Sequence, residues 1–111
     1  MAWNRTPIRD EQWKPPVHSR KPTQALEQDH AAGGHRSRRI MRDTNALGRV
    51  VLRRQYHRIY AELRWQVDKI KHAQHLGGYS GKTRAANLAA AWQDAHGKGL
   101  TACSQSATEE D

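Results

Sequence analysis

The sequence predicts an all-α protein. An extended basic N-terminal arm leads into one long amphipathic helix, and a shorter C-terminal helix packs back on it as an αα-hairpin or helix-turn-helix-like unit. Three observations carry that expectation. Leu52, Tyr56, Ile59, Leu63, Val67 and Ile70 recur every three or four residues, and at about 100° per residue they fall within about 80° of arc, a single apolar stripe. Glycines at 33–34, 77–78 and 97–99 punctuate the chain where helices would stop. No segment reads as a strand.

The arm comes first, in residues 1–44. All four prolines (Pro7, Pro15, Pro16 and Pro22) lie within its first half, and each removes a backbone donor and holds φ near an extended value. Trp3 and Trp13 between them are expected to anchor the arm on the body of the protein or on a partner. Thr23 is placed to cap a short helix over 24–32, which Gly33-Gly34 would end. Four arginines then crowd into seven residues, Arg36 to Arg42.

The long helix is expected from the cap candidates Asp43, Thr44 and Asn45 to about Leu76. At 1.5 Å per residue it would be a rod of roughly 48 Å. Opposite its apolar stripe, Arg53, His57, Arg64 and Lys71 form one row and Arg54, Arg58, Lys69 and His72 another, with Trp65 inside the second. Glu62 and Asp68 supply i,i+4 partners to Arg58 and Arg64, but two acids cannot neutralise seven bases. His72 and His75, at i,i+3, read as ordinary surface histidines. The second helix is expected from Ser80 or Thr83 to His96, with Ala85, Leu88, Ala89, Trp92 and Ala95 on its apolar side. These elements divide the chain into an arm (1–44), a helical hairpin (45–99) and an acidic tail (100–111) expected to lack structure.

Charge follows the same division. The chain has 111 residues, 19 Lys and Arg, 11 Asp and Glu, and a formal charge of +8. Residues 1–44 carry nine bases and five acids (+4), residues 45–76 seven and two (+5), and residues 77–111 three and four (−1). Such a field attracts polyanions: nucleic acid first, then an acidic protein surface. The longest aliphatic run is Val50-Val51-Leu52, so no segment spans a bilayer, which takes about 20 apolar residues. Cys103 is the only cysteine, which leaves no intrachain disulfide and no cysteine-based zinc site. An intracellular, by default cytoplasmic, setting follows.

Two motifs bear on chemistry. Gly77-Gly-Tyr-Ser-Gly81-Lys82-Thr83 approaches the phosphate-binding G-x-x-x-x-G-K-[ST], but Leu76 stands where the first glycine is needed. The same joint, followed by Lys82, Arg84 and Asn87, resembles a DNA-binding helix-turn-helix, whose second helix enters the major groove. Separately, Glu27-Gln28-Asp29-His30 with Gly33-Gly34 following resembles the E-x-D-H segment of the HNH (ββα-metal) nucleases. Asn87-Leu88, with His96 nine residues beyond Asn87, is similar to their later Asn and second metal-ligand His. That resemblance implies Asp29 and His96 holding Mg²⁺ or a transition metal, His30 activating water, and Asn87 orienting His30.

The main functional expectation is a non-enzymatic nucleic-acid-binding protein without a cofactor. Phosphates would meet Arg36, Arg38, Arg39, Arg42, Arg53, Arg54, Arg58, Arg64, Lys69, Lys71, Lys82 and Arg84, and Trp65 would stack on a base. The alternatives are a structural accessory subunit of a large ribosome-like or multi-subunit assembly, then a divergent HNH-type nuclease. The apolar stripe would serve a dimer or larger assembly.

Overall fold

The computed structural model describes residues 8–102; Trp3 and residues 103–111 lie outside the described residues, and of the tail expected from residue 100 only Leu100, Thr101 and Ala102 are described, with Thr101 fully buried. Val50 and Leu52, then Ile59, Ala61 and Leu63, are buried at every second position, with more exposed neighbours between them. That period of two is the one the chain obeys. Residues expected as one helix form three strands: β1 (Arg49–Gln55), β2 (Arg58–Val67) and β3 (Ile70–Tyr79). They make an antiparallel sheet in the order β1-β2-β3, so the fold is mixed α/β and the all-α expectation is wrong.

The apolar stripe misled because its spacings are ambiguous. Ile59, Leu63 and Val67 are four apart, which suits one face of a strand as well as one face of a helix. Its remaining members separate the two readings. Tyr56 is 84% exposed and Ile70 61%, since each lies at or beside a turn; Leu52, Ile59 and Leu63 are in the core. Three of the six are buried in the chain's own core, so the stripe is not an exposed seam for a dimer. The turns themselves were unmarked. Tyr56-His57 joins β1 to β2 and Asp68-Lys69 joins β2 to β3, whereas hairpins of this length usually announce themselves with Asn-Gly or Asp-Gly. Asp68 (φ 51°) and Lys69 (φ 67°) both take the left-handed backbone of a type I′ turn.

One irregularity shapes the sheet. Ala61 pairs with Gly77 and Glu62 with His75, so Leu76 is an extra residue on β3. The bulge turns Leu76 inward, where it is 4% exposed. Gly77 beside it has φ 153°, which a side chain would strain.

The C-terminal helix, α2 (Arg84–Gly97), follows β3 directly. The joint expected as an αα-hairpin or helix-turn-helix is therefore a strand-to-helix connection. Thr83 caps α2, its Oγ1 accepting from the Ala86 amide at 3.1 Å. Leu88, Ala91, Trp92 and Ala95, spaced i, i+3, i+4, i+7, are all fully buried against one face of the sheet. Two alanines let the helix approach closely and Trp92 fills the space between. Tyr79 on β3 donates its hydroxyl to the Asp94 carboxylate on α2. Burial, then the bond to Asp94 and its charge, push the Tyr79 phenol well above its usual pKa.

The other helix, α1 (Lys21–Ala32), starts earlier than the Thr23 cap would place it, with Pro22 in its first turn. It flanks the free edge of β1 and packs on α2. The Gln28 side chain stands in for a neighbouring strand: its Nε2 donates to Val50 O at 2.8 Å and its Oε1 accepts from Val50 N at 3.0 Å. Oε1 also accepts from the Trp92 indole at 3.0 Å. The segment before α1 docks on α2. Asn87 Nδ2 donates to Gln12 O at 2.9 Å, Arg84 donates to Trp13 O, and Ile8 and Trp13 pack against the core.

Candidate nucleic-acid interface

Helix α2 covers one face of the sheet, and among the described residues no helix covers the other. Directly opposed residues of an antiparallel pair point to the same side. Val50 faces Leu63 and Leu52 faces Ala61 on the helix side. The alternate pairs, Arg49 with Arg64, Val51 with Glu62, Arg53 with Tyr60 and Gln55 with Arg58, therefore project from the open side. On β3 the same face carries Lys71, opposite Gln66, and His75, opposite Glu62. Among the described residues, Arg49, Arg53, Arg58, Arg64 and Lys71 thus share one solvent-facing surface with one carboxylate, that of Glu62.

Glu62 sits amid these cations. Its Oε1 accepts from Arg64 Nε at 3.0 Å and Nη2 at 2.8 Å, and its Oε2 lies 3.6 Å from Arg53 Nη1. Arg49 directly faces Arg64 across the β1–β2 pair, a like-charge juxtaposition that works against folding. One half-buried carboxylate orients two arginines and leaves the five cations of the face a net charge of +4. Beside it, the Tyr60 and His75 rings meet at 5.6 Å. These residues, with Arg53, Arg54 and Gln55, border a hollow of about 460 Å³. The surface can hold a row of anionic groups and offer aromatic edges between them.

Of the residues expected to touch nucleic acid, Arg53, Arg58, Arg64 and Lys71 are brought together here. Arg49 joins them and was missed; only its place in the every-second-residue series Arg49, Val51, Arg53 could have signalled it. Others are elsewhere. Trp65 lies on the helix side, stacked on His72 at 5.5 Å and packed against the core, so it is not among these cations. Arg54 is on the helix-side register, opposite Ile59, and Lys69 is in the β2–β3 turn. Arg36, Arg38 and Arg42 precede β1, and Lys82 lies before α2, all exposed. Arg39 is 6% exposed and bonds Asp29 Oδ1 at 2.8 Å and Gly48 O at 3.0 Å. Arg84 pairs with Glu27 at 2.9 Å. Both are structural bridges rather than contact residues, as are Arg64's and Arg53's links to Glu62 in part. The i,i+4 pairs expected for a helix, Arg58–Glu62 and Arg64–Asp68, give way to these strand pairings.

The residues of the nuclease resemblance are engaged in the fold. Asp29 holds Arg39. Asn87 Oδ1 accepts from the Gly81 amide at 2.7 Å. His96 places Nε2 2.8 Å from Ala32 O and Nδ1 2.7 Å from Thr101 Oγ1; a carbonyl only accepts, so Nε2 carries a proton there and is no metal donor. His30 is exposed on α1. Among the described residues no three His, Cys, Asp or Glu side chains are grouped to hold a metal ion, and no helix is long and apolar enough to cross a membrane. Compared with known protein families, curated proteins and solved structures, the chain shows no significant match to any of them.

Proposed function

We propose that the protein binds duplex DNA without catalysis, laying the open face of its sheet across the major groove. The observation that supports this is the gathering of five strand cations on the sheet face that no helix among the described residues covers. The dimensions suit the partner. Three strands about 4.8 Å apart present a backbone about 10 Å wide, against a major groove of about 12 Å. The ten residues of β2 extend about 34 Å, close to one turn of B-DNA. The major groove of A-form RNA is too deep and narrow for the same approach. The five cations would meet phosphates, and Tyr60 and His75 face where base edges lie.

The residues expected as one over-long helix form a sheet, and Trp13 packs on the chain's own core; neither favours the accessory-subunit reading over DNA binding. A nucleic-acid partner and a single cysteine suit an intracellular, reducing setting.

Salt dependence is the test. Five phosphate contacts give a slope near −4.5 in log K against log salt, a loss of roughly 500-fold between about 50 and 200 mM. Fluorescence anisotropy on a duplex should show that slope, and the R49A/R64A double variant should flatten it by about 2. A wild-type affinity indifferent to salt, or equal on duplex RNA, would sink the proposal.

A further inference from the structure

The β1–β2 turn combines features that the sheet face alone does not use. Tyr56 opens a two-residue connection and is 84% exposed. A lone exposed aromatic needs no explanation, but this one is also held at φ 59°, where a β-carbon is disfavoured and glycine is the usual occupant. His57 beside it is not among the residues of positive φ, the pattern in which the first turn position most favours glycine. The chain thus keeps a large ring at a position where a smaller residue would fold more easily. Unfavourable backbone held in place by its surroundings is characteristic of contact sites.

The surroundings indicate the kind of contact. Arg53-Arg54-Gln55-Tyr56-His57-Arg58 contains three arginines and no acid. Arg53 and Arg58 belong to the open cationic face, so the turn is the end of that face. A hollow bordered by Arg53, Gln55 and Tyr60 begins beside it. An apolar ring ringed by cations suits a nucleobase flanked by phosphates, the base stacking on the ring while the arginines meet its backbone.

We propose that Tyr56 is an aromatic wedge that stacks on a nucleobase at one end of the DNA footprint, unstacking that base from its neighbour. The inference rests on the duplex-binding reading above. It adds a base contact at a site where phosphate neutralisation alone would need no aromatic. Inserted side chains of this kind unstack one base step in exchange for added contact.

Tyr56→Gly and Tyr56→Phe separate the roles. Stacking needs the ring and not the hydroxyl, so Y56F should bind as the wild type does. Y56G should lose about tenfold in affinity while its Tm rises by about 2–5 °C, because the left-handed backbone is relieved. On a duplex of about 20 base pairs, two helical turns, 2-aminopurine placed at successive positions should brighten at one position with wild type and Y56F and stay dark with Y56G. If wild type binds with the expected salt slope and Y56G matches it in affinity and 2-aminopurine signal, the wedge is refuted and the sheet-face reading stands. If wild type binds no duplex at all, the underlying reading fails and the wedge with it.

Discussion

Replacing Gln28 with alanine would remove one amide and strand three partners. Gln28 is 4% exposed. Its amide satisfies both polar groups of Val50 on the free edge of β1, at 2.8 and 3.0 Å, and the Trp92 indole at 3.0 Å. A buried donor or acceptor left unpaired costs about 1–3 kcal/mol. A hollow of about 490 Å³ borders Gln28 and Val50, so water can reach the Val50 groups and the lower figure applies to them. Trp92 is fully buried and the middle of the range applies to its N–H. The total is about 4 kcal/mol, a large part of the 5–15 kcal/mol that holds a domain folded. For a chain of this size that lowers Tm by about 15–25 °C. Thermal and urea unfolding followed by circular dichroism measure it, with the urea m-value unchanged if only the native state is affected. Gln28→Leu keeps most of the volume but none of the bonds, and should fall nearly as far. Gln28→Glu can accept from Val50 and Trp92 but turns an oxygen towards Val50 O, and should also be destabilised. A Q28A Tm within about 3 °C of wild type would show that the edge of β1 does not depend on this amide. A wild-type Tm for Q28L would assign the effect to packing instead of hydrogen bonding.

Two other substitutions test the charge arrangement and the helix–sheet junction. Glu62→Gln removes the carboxylate that competes with phosphates for Arg64 and Arg53; duplex affinity should rise with the five-contact salt slope kept, and an affinity no higher than that of wild type in anisotropy titrations would mean the carboxylate does not compete. Tyr79 has its phenol pKa raised by burial and Asp94, so the folded state favours the neutral form. Its contribution is complete below about pH 10, the phenol's ordinary range, and is lost as pH climbs above that, because the unfolded chain ionises first. Tyr79→Phe should lower Tm at neutral pH but flatten the alkaline fall in stability; an alkaline limb as steep as that of wild type would remove Tyr79 as its source.

Local features were legible where local physics decides them. The C-terminal helix could be read from Thr83, a hydroxyl placed to cap, and from Leu88, Trp92 and Ala95 at helical spacing, since a cap and a 3.6-residue repeat involve only near neighbours. The sheet could not be read that way. Its turn at Tyr56-His57 has no glycine or asparagine to mark it, and the even spacing of Ile59, Leu63 and Val67 fits either periodicity. Arg39 and Arg84 were indistinguishable from contact arginines because their partners, Asp29 and Glu27, lie 10 and 57 residues away. Trp65 looked like a stacking residue among cations for the same reason: its neighbour on a helix would have been a base, whereas on a strand it is His72.

By itself, the sequence determined the sign of the charge and its concentration before residue 77, because both are properties of composition that folding cannot alter. The tertiary structure alone decided which cations act together. A strand turns successive side chains to opposite faces, so Arg53 and Arg54 part company, and strand pairing across two hairpins sets Arg49, Arg53, Arg58, Arg64 and Lys71 on one side. Which arginines are tied up inside depends likewise on where distant carboxylates come to rest, and that is settled only when α1, the sheet and α2 close on one core.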